Sequence, residues 1–315
     1  MHKEEALVMK STGSFYLVRT SNGQMISCKL RGKFRMQGIK TTNPVSVGDT
    51  VLFLRDDKQN YGFITDILPR KNYIYRKSVN LSKVSHIIAA NIDCAFLIIS
   101  LIDPRTPLGF IDRFLVAAES FRIKTVLIFN KIDLYNAHLL ELEKKLQKIY
   151  TDIGYPCIST SVKNGIGMES LKAEMKDRVS LFSGQSGVGK TSIINYVEPG
   201  LELKVADVSG YNNKGKHTTT FAEMFELSLG GFIIDTPGIK EFGLIRYEKE
   251  EISHYFPEML ALLPQCKFGN CTHTHEPECA VKRAWEDGKI ADSRYTNYLA
   301  IIHDEDIDLK EWMLE

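Results

Sequence analysis

A glycine-rich stretch in the second half of the chain has the composition of a phosphate-binding loop. The sequence GQSGVGKT fits the pattern G-x-x-x-x-G-K-S/T, with Gly184, Gly189, Lys190 and Thr191 at the fixed positions. Glycine lets the backbone curl so that successive N–H groups point at phosphate oxygens, while the lysine reaches the β and γ phosphates and the hydroxyl binds Mg²⁺. The predicted loop comprises Gly184, Gln185, Ser186, Gly187, Val188, Gly189, Lys190, Thr191 and Ser192. A glycine-rich turn is the alternative, but the apolar strand before it and the helical segment after it favour a nucleotide site.

A second magnesium ligand and a γ-phosphate contact are predicted further along the chain. The sequence IIDTPG ends an apolar strand at Asp235, which we expect to hold Mg²⁺ through water, and the N–H of Gly238 is expected to face the γ-phosphate. The intervening sequence NNKGKHTTTF is polar and has the composition of a mobile loop. We interpret it as a switch in which Thr219 coordinates magnesium and senses the γ-phosphate. Thr218 and Thr220 remain alternatives, as does a solvated threonine-rich turn.

Two further segments contain residue types that could recognise guanine. In NKID, the carboxylate of Asp133 can accept hydrogen bonds from guanine N1–H and the exocyclic amine, whereas adenine offers no such pair. Asn130 is expected to reach the acceptor edge of the base, and the stem of Lys131 to cover the ring face. A second base loop, where a backbone N–H can meet guanine O6, comprises Ser161, Val162 and Lys163. N-K-x-D alone is a weak signal, but each segment here follows an apolar strand.

The elements around these motifs alternate between apolar strands and helical stretches. Strands are predicted at residues 94–100, 125–130, 155–160 and 180–184, and helices at 106–121, 137–150, 168–179 and 190–197. Thr106 is the predicted N-cap of the first helix, and two more strands are expected to meet in a hairpin at Gly230 and Gly231. Alternation of this kind predicts an α/β fold with a mainly parallel sheet.

The order of the motifs is the reverse of the usual one, in which the phosphate loop comes first. Moving the two base loops to the end of the chain restores the ordinary GTPase order. Parallel strands pack by adjacency in the sheet rather than by order in the sequence, and neighbouring termini tolerate such rejoining. The sequence therefore predicts a multidomain α/β protein with a circularly permuted P-loop GTPase domain.

Short alternating strands precede this domain and predict a small closed β-barrel. They are expected at residues 14–20, 24–30, 49–55 and 61–68 within a set of five or so. An OB-type barrel is favoured, with an SH3-like barrel as the alternative. The segment KLRGKFRMQ places Lys29, Arg31, Lys33 and Arg35 around Phe34, a mixture suited to RNA phosphates and bases. A solvated basic strand edge explains the same residues.

A cluster of cysteines lies in helical, charged sequence near the end of the chain. The spacing C-x4-C-x-H-x5-C is formed by Cys266, Cys271, His273 and Cys279, which would close a tetrahedral zinc shell with no position open for catalysis. His275 is the alternative to His273 as the histidine ligand. The predicted domains are an RNA-binding OB-type barrel at 1–72, the permuted GTPase domain at 73–245 and a mainly helical zinc-binding domain at 246–315.

Composition and charge are those of a globular protein rather than a polycation. Hydrophobic residues make up 43% and charged residues 25% of the chain, with a net charge of +1. No apolar run approaches the roughly 20 residues that cross a bilayer. The first ten residues lack the apolar core of a signal peptide. We expect a cytoplasmic protein that does not bind membranes, and the sequence gives no sign of oligomerisation, so a monomer is expected.

Taken together, these features resemble the family of circularly permuted, ribosome small-subunit-dependent GTPase A proteins (RsgA/YjeQ). The resemblance covers nearly the whole chain: the barrel, then NKID, SVK, GQSGVGKTS, GKHTTT and DTPG in that order, and the zinc cluster. It implies that the protein binds the small (30S) ribosomal subunit and its 16S rRNA. It also implies hydrolysis of GTP to GDP and phosphate that is faster on the subunit, late in subunit maturation.

The predicted catalytic residues are His217, Thr219 and Lys190. Many GTPases use a glutamine after DxxG to orient the attacking water, but here that position is Ile239, so slow intrinsic turnover is expected. The resemblance raises the hypothesis that His217 positions the water. A solvated loop histidine is the alternative. Two other functions fit parts of the sequence: a nucleotide-gated RNA-binding module with incidental turnover, and an ATPase in which NKID is accidental.

Overall fold

The computed structural model describes residues 3–30, 44–56, 61–77, 85–201, 222–235 and 247–303. The strands are β1 Lys3–Ser11, β2 Tyr16–Thr20, β3 Met25–Leu30, β4 Thr50–Asp56, β5 Tyr61–Ile67, β6 Tyr73–Lys77, β7 Ser85–Ala90, β8 Cys94–Ile99, β9 Lys124–Phe129, β10 Cys157–Ser159, β11 Val179–Ser183, β12 Glu223–Glu226 and β13 Phe232–Asp235. The helices are α1 Leu108–Ser120, α2 Ala137–Asp152, α3 Met168–Met175, α4 Lys190–Val197, α5 Lys249–Ile252, α6 Pro257–Leu260, α7 Ala280–Glu286 and α8 Asp292–His303. No helix in these ranges is long and apolar enough to span a membrane.

The chain packs as two compact units. The first contains the described parts of Met1–Ala95, Ser170–Ser183 and Thr191–Glu241, and the second contains those of Phe96–Glu169, Gly184–Lys190 and Phe242–Glu315. This division into two units does not test the three-domain boundaries predicted at residues 72 and 245, which stay a prediction.

In the first unit, the strands β1 to β5 form a closed barrel. β1 pairs with both β2 and β4, β2 pairs with β3, and β5 lies between β3 and β4, parallel to β3. Alternate residues point inward, so that Val8, Val18, Phe53 and Ile64 are fully buried. This arrangement is the OB-type barrel, which confirms the favoured prediction over the SH3-like alternative. Four of the five barrel strands lie in predicted ranges. The fifth, β1, lies outside them, although about five strands were expected.

The strands β11, β13 and β12 continue the sheet of this unit next to β1. β13 runs parallel to β11 and antiparallel to β12, which confirms the predicted hairpin at Gly230 and Gly231. β12 pairs with β1 at Lys10 and Glu223, whose side chains form an ion pair of 2.7 Å. The hairpin of β6 and β7 was not predicted. Glycine is absent from the sequence that joins its strands at 78–84, so the usual turn signal is missing.

The strands β10, β9 and β8 lie side by side, with β10 parallel to β9, and the second unit contains all of them except the first two residues of β8. All six residues of β8 are buried, as expected of a strand covered on both faces. The prediction that Thr106 caps α1 is wrong, because the N-cap is Pro107. The hydroxyl of Thr106 instead accepts a hydrogen bond from the Ser100 N–H at 3.1 Å, which fixes the loop between β8 and α1.

The helix predicted at 168–179 is shorter than expected. α3 ends at Met175, and Asp177 adopts a left-handed conformation with φ of 57° before β11 begins at Val179. The other predicted helices before residue 200 lie within a few residues of the observed ones, and the predicted helical character after residue 245 is confirmed by α5 to α8.

A buried ionic cluster joins α1 to the C-terminal helices of the second unit. The guanidinium of Arg294 donates to Asp112 Oδ1 at 2.6 Å and to Glu258 Oε1 at 2.7 Å. Asp112 also accepts hydrogen bonds from Tyr150 and Asn297. Burial opposes the charge of Arg294, but the two carboxylates keep its pKa well above the ordinary value. The cluster therefore holds α8 against α1 through a fully buried ion pair between Arg294 and Asp112, with the partly buried Glu258 as the second carboxylate.

Candidate nucleotide-binding site and metal centre

The predicted phosphate loop lies between β11 and α4. Gly184, Gly187 and Gly189 have φ values of 146°, 83° and 100°, a region that residues with a side chain rarely adopt. A Cβ atom at Gly184 would also lie 2.5 Å from the carbonyl oxygen of Ile98. The ammonium of Lys190 donates to the Gly184 and Gln185 carbonyl oxygens at 2.7 and 2.5 Å. The loop thus has the tight curl and the adjacent cation that phosphate binding requires.

The side chain of Asn130 connects the first base loop to the phosphate loop. Its Nδ2 donates to the Val188 carbonyl oxygen at 2.9 Å, and its Oδ1 accepts from the Thr160 hydroxyl at 3.0 Å. Asn130 is buried, and a Cβ atom at Gly189 would lie only 2.4 Å from its Nδ2. Segments separated by more than fifty residues therefore meet at one place, in the manner that the permuted order predicts.

The carboxylate of Asp133 is held by the second base loop. The hydroxyl of Ser161, which is fully buried, donates to Asp133 Oδ1 at 2.6 Å. Lys131 has a left-handed conformation with φ of 65°, and its ammonium donates to the Asp103 carbonyl oxygen at 2.5 Å. Because Ser161 contacts only one oxygen of Asp133, the carboxylate can still accept hydrogen bonds from two donors on a base.

Sequence reasoning missed Tyr135 as a residue of this site. Its hydroxyl accepts from the Leu101 N–H at 2.8 Å and donates to the Asn130 carbonyl oxygen at 2.9 Å. Burial raises the pKa of Tyr135, so the hydroxyl stays protonated and keeps its donor. In the sequence, Tyr135 is visible only as a tyrosine two residues after Asp133. That position does not show whether the side chain belongs to the hydrophobic core or holds a residue of the site.

The remaining predicted residues are placed as follows. Val162 is half-buried and Lys163 exposed in the second base loop, while Thr191 and Ser192 lie in the first turn of α4. Asp235 is the last residue of β13, and its side chain is outside the described part of the structure. Outside the described residues lie His217, Thr218, Thr219, Thr220, Gly238 and Ile239, and also Arg31, Lys33, Phe34 and Arg35, which were predicted to contact RNA.

Three cysteines and one histidine converge in the C-terminal helical region. The ligand atoms of Cys266, Cys271, His273 and Cys279 all lie within 4.8 Å of one another. His273 Nδ1 is 3.7 Å from the Cys266 sulfur and 3.3 Å from the Cys279 sulfur, close to the roughly 3.5 Å between nitrogen and sulfur ligands of a tetrahedral zinc ion. His275 is exposed, and its Nδ1 pairs with the Thr274 hydroxyl. The cluster can therefore hold a metal ion through His273.

The surroundings of this cluster support a bound metal. Burial raises the pKa of Cys271 to about 12, so its metal-binding thiolate form requires a nearby cation. The loop between the ligands is held from outside, because Tyr295 donates to the His273 carbonyl oxygen at 2.6 Å and Tyr298 to that of Thr272 at 2.7 Å. Cys271 and Cys279 also belong to the hydrophobic core around α7 and α8. A metal bound here would cross-link that core.

These loops define a class of protein. A loop with the phosphate-binding pattern, an N-K-x-D segment and a second base loop meet on one unit, and the base loops come first along the chain. This combination defines a circularly permuted P-loop GTPase.

Comparison with known proteins places the chain within that class. Residues 67–245 match the RsgA GTPase family, and residues 5–64 match the RsgA N-terminal domain. A relative from Flavobacterium psychrophilum and one from Bacteroides fragilis, each named small ribosomal subunit biogenesis GTPase RsgA, are 53% and 51% identical. The alignments cover 95% and 96% of this chain and 93% and 97% of the relatives.

Solved structures agree with the sequence relatives. The crystal structure of YjeQ from Thermotoga maritima has a TM-score of 0.79 and 37% identity, with 96% of this chain and 98% of that chain covered. YloQ, whose structure is described as that of a circularly permuted GTPase, has a TM-score of 0.76 and 28% identity, with 96% and 95% covered. The chain belongs to the RsgA GTPase family and is a GTP hydrolase.

Proposed function

We propose that this GTPase binds the small (30S) ribosomal subunit through 16S rRNA and hydrolyses GTP to GDP and phosphate late in subunit maturation, with turnover stimulated by the subunit. The hydrogen bond from Asn130 to the Val188 carbonyl oxygen carries the nucleotide part, because it joins a base loop to the phosphate loop. The names of the relatives support the ribosomal part. A chain acting on this partner works in the cytoplasm, and we propose that it acts as a monomer.

In the proposed site, the base and the phosphates are held by separate groups. Asp133 binds the N1–H and amine of guanine, Asn130 and the loop of Ser161, Val162 and Lys163 meet the acceptor edge, and Lys131 covers the ring. The N–H groups of the phosphate loop surround the phosphate oxygens, and Lys190 leaves its carbonyl partners to contact the β and γ phosphates. Such contacts neutralise charge that develops on the phosphoryl group during transfer.

Hydrolysis requires a positioned water molecule and a sensor of the γ-phosphate. Thr191 and Asp235 would hold Mg²⁺, which neutralises phosphate charge when bound, and Ser192 follows Thr191 in the first turn of α4. We propose that Thr219 senses the γ-phosphate, that the N–H of Gly238 faces it, and that His217 orients the attacking water. Because Ile239 cannot orient water, we propose that turnover is slow in the free protein and that binding to the small subunit completes the catalytic site.

Release of phosphate from GTP, measured with and without purified small subunits, tests this function. We expect slow release by the chain alone and a large increase when subunits are added. Large subunits at equal concentration serve as the control and should leave the rate unchanged. A slow rate that is the same with small subunits would instead favour a nucleotide-gated RNA-binding module.

Replacement of His217 tests the proposed water-positioning residue. His217→Ala should reduce subunit-stimulated turnover by about 100-fold or more, since a positioned acid or base contributes about 10² to 10⁴. The affinity for GTP should stay nearly unchanged. His138, an exposed histidine in α2, provides the matched control. Stimulated turnover of His217→Ala equal to that of His138→Ala would remove His217 from the mechanism.

We propose that the metal at the cysteine cluster is a single structural zinc ion held by Cys266, Cys271, His273 and Cys279. Three thiolates and an imidazole are the ligands of a closed tetrahedral zinc site. Because two of the ligands belong to the core around α7 and α8, binding of the metal stabilises the folded state of that core.

Removal of one zinc ligand should release the metal and loosen the C-terminal helices. We expect Cys279→Ser to purify with far less than one zinc per chain and to unfold at a temperature lower by several degrees. Zinc content by mass spectrometry of metals and a thermal melt provide the two measurements. Cys157→Ser, outside the cluster, is the control and should retain one zinc. Equal zinc content in the two variants would contradict the assignment.

A further inference from the structure

The loop at residues 271–279, which we name the metal loop, carries three of the four candidate metal ligands and is organised by one carboxylate. One oxygen of Glu276 accepts hydrogen bonds from the Thr272 N–H at 2.7 Å and from the Thr272 hydroxyl at 2.6 Å. The other oxygen accepts from the Thr274 N–H at 3.0 Å and from the His275 N–H at 3.2 Å. Both oxygens of Glu276 therefore bind groups of the metal loop itself.

The ligand His273 needs such support because its backbone is left-handed, with φ of 55°. A residue with a side chain keeps this conformation only where the surrounding contacts enforce it, and a glycine at this position could not supply an imidazole. Thr272 and Thr274, whose N–H groups donate to Glu276, are the residues on either side of His273. The carboxylate therefore closes the turn that has this ligand at its centre.

The carbonyl oxygens of the same turn are held by a different part of the chain, the helix α8. Tyr295 donates to the carbonyl oxygen of His273, and Tyr298 donates to that of Thr272. The N–H groups and the carbonyl oxygens of the turn thus have separate partners within the protein. None of these partners belongs to the group of four ligands.

We infer that Glu276 is the positioning residue of the metal site and holds the metal loop in the shape that metal binding requires. Each of its oxygens already accepts two hydrogen bonds, so it acts through the backbone of the loop and not as a ligand. A loop that is ordered before binding loses less conformational entropy when the metal binds. This inference rests on the proposed zinc site and adds the residue that sets its affinity.

A second glutamate of the metal loop provides a matched control. Glu278 directly precedes the ligand Cys279, but its side chain is exposed and its carboxylate pairs with the ammonium of Lys267. Glu276→Gln and Glu278→Gln therefore remove the same charge from the same loop. Only the first of them changes an acceptor of the backbone N–H groups around His273.

Competition with a coloured chelator, measured on the full chain, gives the zinc affinity of each variant. Glu276→Gln keeps the size of the side chain but replaces one acceptor oxygen with an NH₂ group, which cannot accept from the loop. We expect its zinc affinity to fall about 10- to 100-fold, the usual effect of losing a group that orients metal ligands. Glu278→Gln should match the unchanged chain. Thr272→Val, which removes only the hydroxyl donor, should lie between the two.

Thermal melts with and without bound zinc separate positioning of the ligands from general support of the fold. If Glu276 positions the ligands, Glu276→Gln reduces the difference between the two melting temperatures, because this difference follows the metal affinity. A residue that only supports the fold would lower both melting temperatures equally and leave the zinc affinity unchanged. Basal GTP turnover of each variant shows that the nucleotide site is folded.

The outcomes separate this inference from the proposed zinc site. Equal zinc affinities of Glu276→Gln and Glu278→Gln would overturn the inference and leave the zinc site standing. If Glu276→Gln does not fold, Thr272→Val decides, and an affinity equal to that of the unchanged chain overturns the inference. An unchanged chain that binds no zinc would contradict both the zinc site and the inference, while the proposed GTPase function would stand.

Discussion

Asp133→Asn should exchange the base preference of the site from guanine to xanthine. The Asn amide oxygen can still accept the hydroxyl of Ser161, which now donates to Asp133 at 2.6 Å, so the loop should keep its shape. The amide nitrogen can donate to the carbonyl that xanthine carries in place of the exocyclic amine of guanine. We expect affinity for GDP to fall on the order of a thousandfold and affinity for xanthosine diphosphate to rise above it.

Competition against a fluorescent guanosine diphosphate, and against its xanthosine counterpart for the variant, measures both affinities. Asp152→Asn, at the exposed end of α2, removes the same charge and should leave both affinities unchanged. If Asp133→Asn still prefers guanosine diphosphate by the original factor, Asp133 does not recognise the base. A preference for adenosine nucleotides in the unchanged chain would favour an ATPase in which NKID is accidental.

Arg294→Met should strongly destabilise the C-terminal helices. The substitution leaves Asp112, which is fully buried, and Glu258 without the cation that neutralises them. Removing one partner of a buried ion pair costs about 3 to 5 kcal/mol, because the remaining charge is held away from water. Adding Asp112→Asn to Arg294→Met should recover part of that loss, since it removes the uncompensated carboxylate.

Urea unfolding followed by tryptophan fluorescence reports on this region, because Trp285 stacks on Tyr295 at 4.4 Å between ring centroids. Trp312→Phe provides a background in which Trp285 is the sole tryptophan. Arg178→Met is the matched control, because Arg178 pairs with Glu174 on the surface and such pairs contribute about 0 to 1 kcal/mol. A loss of free energy of unfolding no larger for Arg294→Met than for Arg178→Met would contradict the role of the cluster.

Local patterns were sufficient to predict most strands and helices. The fully apolar β8 and the alternating β2 differ in period and burial, and each difference is visible in the sequence. Errors arose where tertiary contacts decide. Thr106 has the residue type of an N-cap, but its hydroxyl binds the Ser100 N–H, a partner that sequence spacing does not reveal. β6 and β7 were missed because no glycine turn separates them.

The candidate site was predictable as a set of residue types but not as a set of contacts. The patterns around Lys190 and Asp133 specify which groups bind a nucleotide, because the chemistry restricts the residues that can serve. The bond between Asn130 and the Val188 carbonyl oxygen depends on the folding of distant segments against each other, so only the structure provides it. Tyr135 holds Asn130 through its backbone, a role for which no residue pattern is specific.

The central claim is that the loop that recognises the purine and the loop that surrounds the phosphates form one site despite their reversed order. A crystal structure of the chain with bound GDP tests it most directly. We predict that the Asp133 carboxylate lies within about 3 Å of both N1 and N2 of guanine. The β-phosphate oxygens should lie within about 3 Å of backbone nitrogens of residues 184–190. A guanine base bound away from Asn130 and Asp133 while the phosphates occupy this loop would contradict the account.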